Sequence, residues 1–157
     1  MDVNQPIENA LMITGQQLLN HNISIVRKLS ENLPKISGDA SQLEQVLLNL
    51  ISNARDAMDT MEGRKELTIR SYQIENEGNS EVAVSIMDTG AGISEDNLSK
   101  VFEPFFSTKP VGKGTGLGLS LCFGIIEAHA GRIEIKSKPG KGTEVFVYLP
   151  VKDARKE

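Results

Sequence analysis

The sequence predicts an α+β two-layer sandwich: a mixed, mostly antiparallel sheet with about three helices on one face and a long irregular lid. Three observations carry this. Helical and strand patterns follow one another as α-β-α-β-β, then an irregular stretch, then α-β-β, without the regular alternation of a doubly wound sheet. Consecutive strands are joined by short turns, which implies antiparallel pairing. Finally, residues 88–114 carry Gly90, Gly92, Pro104, Pro110, Gly112 and Gly114 with little periodicity. Irregular stretches of that length in compact domains are usually functional.

Each element has its own signal. In the first helix Pro6 suits the opening turn. Ile7, Ala10, Leu11, Ile13, Leu18 and Leu19 supply an apolar face, and Asn20-His21-Asn22 ends it. A short strand is predicted over 23–29, followed by a loop at Pro34 and Gly38. Asp39 is a good N-cap. From there Leu43, Val46, Leu47, Leu50, Ile51, Ala54 and Met58 recur at helical spacing to about Thr60, and Gly63 stops the run. Strands over 66–75 and 81–87 flank the polar loop Asn76-Glu77-Gly78-Asn79-Ser80 and form a hairpin. A helical island is expected over 95–101. A third long helix runs from near Thr115 to about Ala130, stopped by Gly131. Strands over 132–138 and 143–149 flank Pro139-Gly140-Lys141-Gly142. Pro150 is expected to end the fold, which makes 1–150 one domain and 151–157 a frayed charged tail.

Composition narrows the function. The 157 residues fit one core, and 39% hydrophobic with 24% charged residues is ordinary for a soluble protein. A net charge of -4, aromatics at 4% and no Trp disfavour a nucleic-acid surface, which needs a basic face and stacking rings. Cys122 is the only cysteine, so there is no internal disulfide and no Cys cluster for zinc. It reads as a buried small hydrophobe in a reducing compartment. No stretch approaches the ~20 apolar residues of a membrane helix, and no signal peptide is legible. The expectation is a cytoplasmic segment without membrane contact of its own, whose parent protein could itself be membrane-anchored. Met1-Asp2-Val3 leads straight into a helical pattern, as expected for a piece of a longer chain.

Three clusters carry candidate chemistry. On the second helix Asn49, Asn53 and Asp56 share one face beside the apolar stripe. Mid-helix asparagines are mediocre helix formers, and amide oxygens suit Mg²⁺ shared with substrate phosphates. A solvated polar face is the plain alternative. Next, Asp88-Thr89-Gly90-Ala91-Gly92-Ile93 places a carboxylate at a strand end before two glycines. Asp88 there could accept a hydrogen bond from an exocyclic amine such as that of adenine; an ordinary turn would look the same. Third, Lys113-Gly114-Thr115-Gly116-Leu117-Gly118-Leu119 opens a helix with backbone N–H groups suited to phosphate. Its G-x-G-x-G spacing is neither the dinucleotide fingerprint nor a P-loop, and a flexible hinge is the plain alternative. Between the last two clusters, Phe102-Glu103-Pro104-Phe105-Phe106 holds three of the five phenylalanines. It reads as a clasp for the lid, with Lys109 and Lys113 adding charge near phosphates.

In order, Asn49-Leu50-Ile51-Ser52-Asn53-Ala54, Asp88-Thr89-Gly90-Ala91-Gly92, Phe102-Glu103-Pro104-Phe105-Phe106 and Gly114-Thr115-Gly116-Leu117-Gly118-Leu119 resemble the N, G1, F and G2 boxes of sensor histidine kinases. Gly140-Lys141-Gly142-Thr143-Glu144-Val145-Phe146, then Leu149-Pro150, resembles that family's last hairpin. The likeness covers essentially 1–150. It implies the Bergerat fold of the broader ATPase group that includes gyrase, MutL and a heat-shock chaperone class. Those relatives usually carry a catalytic Glu where Asn49 stands and are not known for the phenylalanine lid.

The resemblance implies an ATP-binding catalytic domain with Asn53 as principal Mg²⁺ ligand and Asn49 assisting. It implies Asp88 on the adenine amino group, Gly92 and Ile93 along the base, and Thr143 supporting the base through water or through Asp88. The N–H groups of Gly116, Leu117 and Gly118 would hold phosphates, with Gly90, Gly114, Thr115 and Leu119 in the same boxes and the 90–114 lid ordered around ATP. The phosphoryl group would pass to a histidine on dimerisation helices, then to a response regulator receiver domain. One position departs from the pattern. Where many members carry a basic residue near the γ-phosphate, this chain has Asp56, preceded by Arg55. Neither His21 (Asn-His-Asn) nor His129 (Ala-His-Ala) has the acceptor context. His129 reads instead as a protonated partner of its helix dipole. A hydrolysing ATPase and a nucleotide-sensing module without transfer stay as alternatives; the first needs a general base that Asn49 cannot be.

Overall fold

The computed structural model describes residues 1–59, 61–98, 100 and 118–151. Helix α1 (Asn4–Asn20), strand β1 (Ser24–Leu29), helix α2 (Ala40–Asp59), strands β2 (Glu66–Asn76) and β3 (Asn79–Met87), the short helix α3 (Glu95–Leu98), helix α4 (Gly118–Ala128) and strands β4 (Arg132–Lys138) and β5 (Gly142–Pro150) follow in that order. The strands lie as β1-β2-β3-β5-β4 in one sheet. Only β1 and β2 pair in parallel, because α2 carries the chain back across the sheet between them. The other three pairings are antiparallel.

Asp39 caps α2 as expected: its Oδ1 accepts the N–H groups of Ser41 (2.8 Å) and Gln42 (3.2 Å). The α2 stripe Leu43, Val46, Leu47, Leu50, Ile51, Ala54 and Met58 is buried without exception. It meets Leu67 and Ile69 of β2, Val82, Val84 and Ile86 of β3, and Val147 and Leu149 of β5 in one core, with α1 and α4 on either side of α2. All three long helices thus cover the same face. Burying these aliphatic side chains is what holds the two layers together.

Four expectations need correction. Ile13 and Leu19 do not join the α1 core face; they are 61% and 60% exposed, beside Met12 at 77%. The loop drawn over 76–80 is a two-residue turn, Glu77 (φ 53°) and Gly78 (φ 83°), and Asn76 pairs directly with Asn79. Positive φ at both positions matches the twist of the strands, which therefore zip to their tips despite polar side chains. Helix α4 stops before Ala130, and Gly131 is not its first non-helical residue. Ala130 takes the left-handed conformation (φ 59°), and Gly131 N–H caps the Ile126 carbonyl at 2.9 Å. A Cβ at Gly131 would lie 2.3 Å from Tyr148 O, so close approach of β5 is what demands glycine there. Lastly, Pro150 does not end the fold, because Val151 bridges to Ile36 and its N–H reaches Ser80 O.

The uncovered sheet face protects itself. Phe146 and Tyr148 stack nearly parallel (ring centroids 6.2 Å apart) beside Tyr72, Ile74 and Ala83. Arg132 lies 4.0 Å above the Tyr148 ring and Lys136 5.3 Å above Phe146. Both carboxylate oxygens of Glu81 grip Arg132, at 2.7 and 2.6 Å. Long cationic side chains thus roof the aromatic row while their charged ends stay wet.

Candidate functional site

At one end of the sheet the helix-side face turns from apolar to polar on three adjacent strands. Val82, Val84 and Ile86 lead to Asp88 after β3. Leu149, Val147 and Val145 lead to Thr143 on β5. Ile133 and Ile135 lead to Ser137 on β4. Asp88 (7% exposed) and Thr143 (8%) are among the few buried polar residues described. A buried carboxylate needs partners, and Asp88 Oδ1 has two: it accepts N–H from Gly90 at 2.8 Å and from Thr143 at 3.3 Å. Burial pushes the Asp88 carboxyl above its usual range, while those two N–H groups pull the other way. Its backbone N–H donates to Thr143 O at 2.9 Å, which clips the end of β3 to β5.

The turn after Asp88 is pinned from several sides. Thr89 Oγ1 accepts the Glu66 N–H (3.1 Å) and donates to Arg64 O (3.0 Å). Ala91 N–H donates to Ala57 O of α2 (3.2 Å), and Gly140 N–H donates to Ala91 O (2.7 Å). Gly90 packs so close to α2 that a Cβ would lie 2.7 Å from the Ala57 backbone. Gly92 takes φ +77°, and a Cβ there would lie 2.2 Å from Lys138 O. Ile93 N–H donates to Ser137 Oγ at 2.7 Å. Both glycines of this motif are thus required by close packing.

The α2 face bearing Asn49, Asn53 and Asp56 is half-buried and precedes Ala57, the point where this turn docks. Gln45 Nε2 donates to Asn49 Oδ1 at 3.2 Å. Arg55 leaves the helix on the α1 side, where it lines a small cleft with Thr14, Gln17, Leu18, Ile51 and Ser52. It bends back to donate from Nε (3.3 Å) and Nη2 (3.0 Å) to Asp56 Oδ1. The departure from the basic-residue pattern thus appears here as a partly buried ion pair between neighbours. Across the helix interface, Cys122 of α4 is fully buried and its thiol donates to Val46 O at 3.7 Å. Burial pushes that thiol up to about 11, against a hydrogen bond with the Asn49 side chain. The expected inert, buried cysteine is what the structure contains, and it ties α4 to the asparagine helix.

Ser99 and residues 101–117 lie outside the described residues. Lys109, Lys113, Gly114, Thr115, Gly116 and Leu117 fall there, as do the phenylalanine box and most of the 90–114 lid. Gly118 opens α4, and Leu119 packs against the core from its first turn. Nδ1 of His21 pairs with Asp59 Oδ1 at 2.7 Å on the surface. His129 corrects the dipole reading: Asp39 N–H donates to its Nε2 at 3.0 Å, which requires an unprotonated Nε2, and Nδ1 faces Ile125 O at 2.8 Å. This ring latches the end of α4 to the start of α2. Gly38 is the matching cradle, since a Cβ there would fall 2.4 Å from the imidazole.

A family model described as "Histidine kinase-, DNA gyrase B-, and HSP90-like ATPase" matches residues 38–153. The chain belongs to this family. Within it the ATPase domain is of the sensor-histidine-kinase type. Sensor histidine kinase ZraS of Klebsiella oxytoca is 37% identical over 157 residues, all of this chain and 32% of that protein. The chain spans between 17% and 32% of the length of the curated relatives it matches. Full-length ShkA in complex with AMPPNP superposes with a TM-score of 0.82 at 26% identity, covering 98% of this chain and 31% of that one. Histidine kinase ThkA in complex with response regulator protein TrrA gives 0.76 at 27% identity, covering 97% and 41%.

The ATPase domain has a Bergerat-type sandwich, as the boxes implied. Among its described residues no helix is long and apolar enough to cross a membrane. Members of this family bind ATP with Mg²⁺. The donor set here suits that use: amide oxygens beside one carboxylate are hard, weakly charged ligands, fit for an ion that keeps phosphate oxygens in its shell. Ser137 and Ala57 are the site residues that motif reading missed. Ser137 was visible as the break in the Ile133, Ile135, Ser137 alternation; Ala57 acts through its carbonyl and leaves no side-chain signal.

Proposed function

We propose that this domain binds magnesium ATP between α2, the 88–93 turn and the start of α4, and passes the γ-phosphoryl group to a histidine on dimerisation helices outside this chain. The next acceptor is an aspartate on a response regulator receiver domain. Residues up to Val151 act as one nucleotide-binding domain, with 90–114 as its lid. The observation that carries the reading is the buried Asp88–Thr143 pair, set beside a helix face that offers two side-chain amides.

Asp88 receives the exocyclic amine of adenine, with Thr143 beside it and Gly90, Gly92 and Ile93 forming the wall against the base. Asn53 holds the metal and Asn49 assists, with Asp56 alongside. Backbone N–H groups from Gly114 to Leu119 cradle the phosphates, and Lys109 and Lys113 add charge. The ion, when bound, neutralises phosphate charge and orients the γ-phosphoryl group. Phosphoryl transfer asks the protein for alignment and electrostatics more than for covalent chemistry, so the lack of a general base at Asn49 suits transfer to an imidazole better than hydrolysis.

The test mixes this chain with the acceptor-helix segment of its parent and ATP labelled at the γ-position. Acid-labile label on the helix is the expected result. Free phosphate released without the helix would replace the kinase reading with an ATPase. Nucleotide binding with neither product would leave a sensing module. A second prediction follows from the electrostatics of Asp88. Burial opposes its charge, so Asp88→Asn should melt no lower than the parent chain. Its ATP affinity should fall and its preference for ATP over GTP should shrink. Undiminished preference would remove Asp88 from the base site.

A further inference from the structure

The hydrogen bonds around Ser137 determine which way the Thr143 hydroxyl can point. Ser137 Oγ has three neighbours: Ile93 N at 2.7 Å, Gly142 O at 3.0 Å and Thr143 Oγ1 at 2.8 Å. A serine hydroxyl owns one proton and two lone pairs. The Ile93 N–H can only donate, so it takes one lone pair. The Gly142 carbonyl can only accept, so it takes the Ser137 proton. Thr143 must then donate its own proton into the second lone pair. Every valence of Ser137 is filled in this arrangement and in no other that keeps all three contacts.

The consequence falls on Thr143. With its proton turned toward Ser137, Thr143 Oγ1 has only lone pairs left for anything else, and among the described residues it meets no other partner. Asp88, next to it, is likewise an acceptor in its charged form. Among the described residues, the buried polar end of the sheet therefore presents acceptors and no side-chain donor. We propose that Ser137, without touching nucleotide, is the specificity-setting residue of the site. By holding the Thr143 proton it makes the base pocket accept an amino edge and refuse a carbonyl edge. This rests on the nucleotide-binding reading above. Adenine offers an exocyclic amine at the position where guanine and hypoxanthine offer a carbonyl oxygen. An acceptor facing that oxygen repels it, whereas a freed hydroxyl could turn and donate to it.

Ser137 also holds Ile93, so loss of its hydroxyl has a plain structural effect as well. The two roles separate in the ratio of affinities. Calorimetric titrations with the magnesium complexes of ATP, GTP and ITP would be run on the parent chain and on Ser137→Ala. If Ser137 only props the loop, all three nucleotides weaken by the same factor. If it orients the Thr143 proton, ATP weakens by about tenfold while GTP and ITP hold or improve, so the preference for ATP falls by about tenfold or more. In Thr143→Val, which has no proton to orient, the ATP preference should already be reduced. Adding Ser137→Ala to Thr143→Val should then leave that preference unchanged. Equal weakening of all three nucleotides by Ser137→Ala would overturn the proposal. Should Ser137→Ala fail to fold, the comparison of Thr143→Val with Thr143→Ser still decides it, because equal preference in those two variants would exclude a role for the hydroxyl. A parent chain that binds none of the nucleotides would instead overturn the nucleotide reading itself.

Discussion

Replacing Asn53 with Ala is expected to abolish magnesium-dependent ATP binding and leave the fold intact. Asn53 stands in the interior of α2, half-buried and outside the buried stripe that packs on the sheet. Alanine is the better helix former at such a position by several tenths of a kcal/mol, so thermal melts should stay within a few degrees of the parent. The affinity change is a different matter. An ion that keeps phosphate in its shell relies on one or two protein ligands, and losing the principal one should weaken ATP by about 100-fold or more. Calorimetry with and without Mg²⁺ separates these effects, since the variant should bind ATP equally weakly in both. Asn49→Ala should show a smaller loss of the same kind. Full magnesium dependence in Asn53→Ala would mean that the ion sits elsewhere, and the α2 face would revert to a solvated surface.

Gly142→Ala is expected to be the most damaging single methyl in the site. Gly142 adopts φ +115°, and a Cβ there would lie 2.1 Å from the carbonyl oxygen of Asp88 and 3.2 Å from Thr89 Cα. Neither neighbour is a flexible side-chain end, so relief requires the β3 and β5 backbones to part. Strain at positive φ and overpacking against backbone together should cost on the order of 3 kcal/mol. Chemical denaturation would read this as a lower midpoint at unchanged slope. The same movement pulls apart the Asp88 N–H···O=C Thr143 clip and shifts the Gly142 carbonyl that receives the Ser137 proton. ATP affinity should therefore fall even in the fraction that remains folded. By contrast Gly140, with φ +77° but nothing within 4 Å of a Cβ, should cost only its backbone strain when changed to Ala. A Gly142→Ala chain as stable as the parent would show that the strands part cheaply, and with that the rigidity assigned to the base pocket would fail.

Much of this was legible because the relevant signals are local. Helical spacing from Leu43 to Met58 and the Asp39 cap located α2. Gly-containing turns set the two hairpins, and residues 49–56, 88–93 and 140–144 marked the candidate site by type and spacing. Ile13 and Leu19 were misplaced because hydrophobicity alone cannot tell a buried position from an exposed one on a helix of loose periodicity. The 76–80 stretch looked like a loop because polarity reports exposure, not whether a backbone is paired. His129 was read from its own helix, where Nδ1 does meet the Ile125 carbonyl, but its Nε2 accepts the Asp39 amide, 90 positions away in sequence.

By itself the sequence determined the order of the elements, the amphipathic faces that drive two layers together, and the residue types available to hold a nucleotide and its ion. Side-chain chemistry and short-range spacing are properties of the chain before it folds. Only the tertiary structure decided that β1 joins the sheet in parallel, that Gly90, Gly92 and Gly142 are required by backbone packed against them, and that Ser137 governs the proton of Thr143. Those depend on atoms brought together from distant parts of the chain. A hydroxyl's role as donor or acceptor is set by which neighbours claim its single proton and two lone pairs, and no linear pattern records that count.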